Sequence, residues 1–264
     1  MNRLRPVALL VAVLVAAGLG IRLGLARQAA IARRRIGKPL GEDALDAERT
    51  WRRKLPGEPV RLLMAGDSLA AGLGATKPKE TLGGRLARAL AAQIAAPVVL
   101  RSVAVVGSES SDLAAQLDTL TPDDRIDVAV IVVGGNDVTH RVPVVDAARH
   151  LTDAVARLHK RGARVVVGTC PDLGALRPVP QPLRGLASRL SRRLADAQAE
   201  AAERTGAAHV SLRRTVGPLF FDEPEQMFSL DRFHPSALGY RRTADALLPA
   251  VVAALGERRR VSAR

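Results

Sequence analysis

Val60-Arg61-Leu62-Leu63-Met64-Ala65 is a short aliphatic run that breaks into Gly66-Asp67-Ser68-Leu69, a turn carrying a hydroxyl. The run lacks the strict alternation of a half-exposed strand, so it reads as a strand buried on both faces. Residues 98–106, 128–133, 164–168 and 207–212 share this character. Residues 82–95, 111–120, 144–160, 183–204 and 237–255 fill the gaps with Ala, Leu and Arg at apolar spacing near 3.6, the helical period. Strands separated by helices imply parallel pairing, and right-handed crossovers then place helices on both faces. The expected fold is α/β, a three-layer α/β/α sandwich on a mostly parallel five-stranded sheet. In such a sheet ligands bind beyond the carboxyl ends of the strands, so chemistry belongs in the loops that follow them.

Those loops carry a consistent set of residues. Gly66-Asp67-Ser68-Leu69 follows the first strand, Gly107-Ser108 the second and Gly134-Gly135-Asn136-Asp137 the third. Asp231-Arg232-Phe233-His234-Pro235 precedes the last helix. Ser68 sits where a helix begins, and the free amides there favour developing negative charge. Ala70 stands where the Gly-x-Ser-x-Gly elbow of α/β-hydrolases has its last glycine, so that motif is absent. Asp231 and His234, three residues apart, can meet in one turn, where the carboxylate orients the imidazole toward the serine. Gly107 permits close backbone approach to an oxyanion, and the Asn136 side chain can donate to the same atom.

Together these segments resemble the SGNH/GDSL hydrolases, whose four blocks supply serine, glycine, asparagine and histidine in this order. The resemblance runs from Val60 to about Leu255. The second block, Val105-Val106-Gly107-Ser108-Glu109-Ser110, keeps the glycine but lacks the asparagine often found before it. The resemblance implies a flavodoxin-like sheet and a serine esterase. In that reading Ser68 attacks the acyl carbon, His234 takes its proton, and Asp231 stabilises the imidazolium. The Ser68 and Gly107 amides and the Asn136 side chain form the oxyanion hole. Asp67 and Asp137 are expected to bond nearby loop amides. Carboxylic esters, acyl or lipid, are the expected substrates. A thioesterase, an envelope carbohydrate O-deacetylase and a non-enzymatic, membrane-tethered binding protein are the alternatives. The proline-rich 171–182 segment is expected to shape the substrate site.

Other chemistries find no support. His140, His150, His159 and His209 lack metal-ligand spacing, and Gly72-Leu73-Gly74 lacks the third glycine of a dinucleotide loop. No cofactor or metal is expected. The single Cys170 precludes an intramolecular disulfide and reads as a small buried hydrophobe.

The net charge of +14 is uneven along the 264 residues. Residues 1–61 hold 13 Lys/Arg against 5 Asp/Glu, a net +8, and residues 256–264 hold 4 against 1, a net +3. The body is close to balanced, and aromatic stacking residues are scarce, which argues against nucleic-acid binding. The expected organisation is a hydrophobic segment with basic flanks at 1–35, a linker at 36–59 with a short helix near 43–53, a hydrolase domain at 60–255 and a basic tail at 256–264. The uncharged run 6–21 is long for a signal-peptide core and short for a spanning helix, so cleaved signal and retained anchor both stand. Basic residues after the run would place its C-terminal side in the cytoplasm, whereas a basic start followed by an apolar run is the export arrangement. A membrane-anchored or exported protein of the cell envelope is expected.

Overall fold

The computed structural model describes residues 4–262. A long helix α1 (Leu4–Ile36) leads to strand β1 (Arg49–Trp51), then β2 (Val60–Gly66) and the single-turn α2 (Ser68–Ala71). Next come α3 (Leu82–Ile94), β3 (Val98–Ser102), α4 (Leu113–Asp118), β4 (Val128–Val132), α5 (Gly135–His140) and α6 (Val144–Lys160). The chain continues through β5 (Arg164–Gly168), α7 (Leu183–Thr205), β6 (Ala208–Val210) and three short helices, α8 (Leu212–Thr215), α9 (Gly217–Asp222) and α10 (Pro224–Met227). It closes on α11 (Ala237–Ser262).

The sheet order is β1-β3-β2-β4-β5-β6, with every pairing parallel except β1 on β3. Successive residues of the central strands feed opposite layers. Leu62, Met64, Val128 and Val130 pack under α3 and α11, through Leu82, Leu86 and Leu90 of the one and Tyr240, Leu247 and Val251 of the other. Leu63, Ala65, Ala129 and Ile131 face Leu113 and Leu117 of α4 and Leu151, Val155 and Leu158 of α6. Each fully buried leucine contributes about 1.5–3 kcal/mol, so truncating Leu63 or Leu86 to alanine would cost about 2–5 kcal/mol.

The chain leaves β2 for β3 on one side and later returns to β4 on the other. The β2/β4 boundary is therefore the topological switch point, where diverging connections leave a crevice. Both Gly66-Asp67-Ser68 and Gly134-Gly135-Asn136 emerge there. The strands run so close that a Cβ on Gly66 would lie 1.9 Å from the Val132 carbonyl oxygen, and the Gly66 φ of +130° also requires glycine.

The α/β class and the mostly parallel sheet agree with the sequence, but the sheet has six strands and not five. The extra strand comes from the segment expected to be a linker with a helix near 43–53. Arg49, Thr50 and Trp51 pair with Leu100, Val99 and Val98, covering the otherwise open edge of β3. Glu48 adds a carboxylate that accepts from the Ser102 amide at 2.8 Å, and Ala47 is buried. Three residues are too few to leave a periodic signature. The second strand ends at Ser102 and not at 106, although the Val103 and Val105 amides still donate to the carbonyls of Met64 and Gly66.

Candidate active site

Asp67 caps α2, its carboxylate accepting from the Leu69 amide at 2.9 Å, and this sets Ser68 as the first helical residue. Its other oxygen accepts from the Gly134 and Gly135 amides at 3.2 and 3.4 Å, tying the end of β2 to the loop after β4. Burial pushes the Asp67 carboxyl up to about 6, with the three amides and the nearby His234 opposing the rise. Asp137 is likewise structural. Its carboxylate accepts from the Ser110 amide at 3.1 Å, and burial raises its pKa.

The His234 loop returns to Ser68 across 166 residues. His234 Nε2 lies 3.0 Å from Ser68 Oγ, and Nδ1 lies 2.6 Å from Asp231 Oδ2. A carboxylate can only accept, so Nδ1 carries the proton and Nε2 presents its lone pair to the hydroxyl. The second oxygen of Asp231 accepts from the Phe233 and His234 amides at 2.9 and 3.0 Å, which folds the four residues into one rigid turn. Burial alone would raise the Asp231 carboxyl, but the imidazole and the two amides outweigh it and leave its pKa lowered. The Tyr240 hydroxyl donates to the Leu73 carbonyl at 2.6 Å, joining α11 to the segment after α2. A Cβ on Gly74 would come within 2.6 Å of the Pro235 carbonyl and 3.2 Å of the His234 Cβ, so this glycine lets the two segments close.

Asn136 is not the cap of α5; Gly134 occupies that position. Instead Asn136 Nδ2 donates to the Ser108 carbonyl at 2.9 Å, leaving its second N–H for another acceptor. The predicted oxyanion donors are thus linked through the loop that bears Gly107. Gly107 lies on an exposed turn with a φ of +87°. Among the described residues, neither the Ser68 nor the Gly107 amide has a hydrogen-bond acceptor.

Sequence reasoning missed two buried glutamines. Gln116 on α4 bonds both backbone groups of Gly66 and the Ser108 hydroxyl. Gln198 on α7 donates to the Val133 carbonyl at 2.9 Å and accepts from the Cys170 amide at 2.7 Å. Their signal is a lone glutamine among the apolar positions of a helix. Cys170 is fully buried, as its reading as a hydrophobe requires, and burial pushes its thiol up.

Beside Ser68 and His234 lies a cavity of about 80 Å³ walled by Leu69, Leu173, Leu176, Phe220, Phe228 and Phe233. Three of the four phenylalanines in the chain meet here, and the 171–182 segment supplies one wall, as expected. Gly107 and Asn136 lie outside this lining. The arrangement offers a hydroxyl with an adjacent base, an apolar recess and free donors, the parts that acyl transfer needs. Among the described residues, no group of His, Cys, Asp and Glu is disposed to hold a metal.

The GDSL-like Lipase/Acylhydrolase family model matches residues 64–242, a span holding all five predicted site residues. The chain is 43% identical over 209 residues to the GDSL-like esterase Rv1075c of Mycobacterium tuberculosis, a match covering 79% of this chain and 66% of that protein. The chain therefore spans slightly less than two thirds of that relative's length. Among solved structures, the lipase/acylhydrolase of Enterococcus faecalis superposes with a TM-score of 0.60 at 18% identity, covering 74% of this chain and 96% of that one. The psychrotrophic esterase EstA of Pseudoalteromonas sp. gives 0.58 at 19% identity, covering 74% and 98%. At these identities the superpositions speak for the fold.

Proposed function

Because the chain belongs to the GDSL-like lipase/acylhydrolase family of ester hydrolases, we propose that it cleaves carboxylic esters through Ser68, His234 and Asp231. The observation that carries this reading is the unbroken relay from Ser68 Oγ to His234 Nε2 at 3.0 Å and from Nδ1 to Asp231 at 2.6 Å. Ser68 Oγ adds to the acyl carbon as its proton passes to Nε2, and Asp231 stabilises the imidazolium. The new oxyanion is held by the Ser68 and Gly107 amides and the second N–H of Asn136, each worth roughly 2.7–4 kcal/mol when well placed. Collapse expels the alcohol, which takes the proton from His234. Water then adds to the acyl carbon as its proton passes to Nε2, and collapse releases the acid while Ser68 Oγ takes that proton back. The acyl group lies in the phenylalanine-lined cavity. The exposed apolar helix α1 supports a membrane-anchored or exported enzyme of the cell envelope.

The test is Ser68→Ala. Hydrolysis of p-nitrophenyl esters should fall by about 10⁴ or more with the melting temperature preserved, and a fluorophosphonate should label only the wild type. Undiminished turnover, or labelling of the alanine variant, rejects Ser68 as nucleophile.

A further inference from the structure

Helix α1 changes character along its length. Its last third is seated on the domain: Ala32 is buried with Leu173, Leu176 and Val179. Gln28 donates to the Gln181 carbonyl at 2.8 Å and accepts from the Leu183 amide at 2.9 Å. Arg35 donates to the Pro178 carbonyl, and its own carbonyl accepts from Arg232, the residue after Asp231. The seated third thus touches both the wall of the acyl cavity and the His234 loop.

Toward its N-terminus the helix leaves the domain, and residues 12–24 are all exposed. Leu9, Leu10, Leu14, Val15, Leu19 and Ile21 are each more than half exposed. At the helical turn of about 100° per residue they point in every direction. A groove on a protein would cover one stripe of such a helix, whereas an apolar helix without a polar face suits hydrocarbon on all sides. The uncharged 6–21 run measures about 24 Å, most of a bilayer core, and sets Arg22 at the edge of the hydrocarbon.

Where α1 parts from the domain it leaves a groove of about 750 Å³, lined by Leu23 on α1, Val142 and Pro143 ahead of α6, and Leu186 on α7. Arg22 and Arg141 also line it, both exposed, and neither guanidinium has a partner among the described residues. Val145, 74% exposed, extends the apolar surface next to Pro143 and Val144. We propose that this face rests on an anionic lipid bilayer, with the apolar half of α1 in the bilayer, a phospholipid acyl chain in the groove, and Arg22 and Arg141 on its phosphate. Asp137 also lines the groove, but its carboxylate is engaged by the Ser110 amide and hydroxyl, so a mainly apolar channel with two free cations matches a lipid that joins a hydrocarbon chain to an anionic head. A second copy of this chain would bring its own large positive charge to the same face. Because the seated third of α1 touches the cavity wall, the esterase site is held near that surface.

The test uses the full chain in nanodiscs of phosphatidylcholine with and without phosphatidylglycerol. Nitroxides on Val145→Cys and Leu186→Cys should be shielded from a nickel chelate and reached by oxygen in the phosphatidylglycerol discs. A label on Ala92→Cys of α3, across the sheet, should stay open to the chelate; buried Cys170 should not take label. Arg22→Gln combined with Arg141→Gln should reduce the phosphatidylglycerol retained after detergent extraction about tenfold, with phosphatidylcholine unchanged. Labels at 145 and 186 as chelate-accessible as at 92, or undiminished phosphatidylglycerol in the double variant, would overturn the proposal. Shielding in lipid-free detergent that grows with protein concentration would overturn it in favour of a second copy.

Discussion

Gln116 holds Gly66 by both of its backbone groups: Oε1 accepts the Gly66 amide at 2.9 Å, and Nε2 donates to the Gly66 carbonyl at 2.7 Å. The side-chain amide supplies the pairing of a neighbouring strand at the residue before the Asp67-Ser68 turn. The same Nε2 reaches the Ser108 hydroxyl at 3.0 Å, so one buried side chain braces both the nucleophile turn and the Gly107 loop.

Gln116→Leu should therefore cost about 1–3 kcal/mol, because it leaves the buried Gly66 amide without an acceptor, whereas the Gly66 carbonyl keeps the Val105 amide. Turnover should fall about tenfold, since the Ser108 carbonyl that receives Asn136 loses its support. Urea unfolding and kcat measured on the same preparation check both effects. A variant of wild-type stability would mean that Gly66 finds other partners.

Asn136 is proposed to bind charge that exists only in the transition state. Asn136→Ala should lower kcat by roughly 10²–10³ with KM nearly constant. Asn136→Asp, which replaces the donor by a carboxylate, should be at least as damaging. Steady-state kinetics on both variants decide this. A defect confined to melting temperature would reduce Asn136 to a support for the Ser108 loop.

The cavity beside Ser68 limits the acyl group. A cavity of about 150 Å³ accepts benzene, so about 80 Å³ holds roughly three carbons. The kcat/KM of p-nitrophenyl esters should rise from acetyl to butyryl and fall beyond it. Leu176→Ala should move the optimum to longer chains. An unaltered enzyme that prefers long acyl chains would contradict this assignment of the cavity.

Asp67 carries a pH dependence. Its carboxyl is raised from 3.8 to about 6, so the folded protein keeps this proton to higher pH than the unfolded chain. The stability it contributes is complete below about pH 4 and is lost as pH rises through about 6. Asp67→Asn removes the titration, so its stability relative to wild type should climb by up to about 3 kcal/mol across that window. Urea unfolding at several pH values measures the slope. A flat difference would show that the three amides keep Asp67 ionised throughout.

Two truncations separate the halves of α1. Removing residues 1–26 should leave the melting temperature near wild type, because Gln28, Ala32 and Arg35 remain seated. Removing residues 1–36 should lower it by about 5 °C, the loss of a few hydrogen bonds and one buried contact. Equal melting temperatures would mean that the seated third adds nothing to the domain.

The amino-acid sequence by itself determined the layer order and pointed to the candidate site residues, because both rest on short-range patterns. Unbroken aliphatic runs between helical periods leave little but a buried parallel sheet, and Asp231 and His234, three residues apart, meet through one turn. The Asp67 bond to the Leu69 amide is of the same local kind, but its bonds to Gly134 and Gly135 and that of Asp137 to Ser110 join distant segments. Tertiary structure alone decided the rest. Gln116 resembles any polar residue on a helix until α4 lies against β2, 50 residues away in the chain. Arg49–Trp51 becomes a strand only because β3 offers an open edge, and the phenylalanines form a cavity only when the 171–182 segment closes over them. The seating of Ala32 and the groove beside Arg22 depend in the same way on packing against α7 and its approach. Local patterns are constrained by covalent geometry and can be read in order, whereas these contacts arise between distant segments once the core has set their spacing.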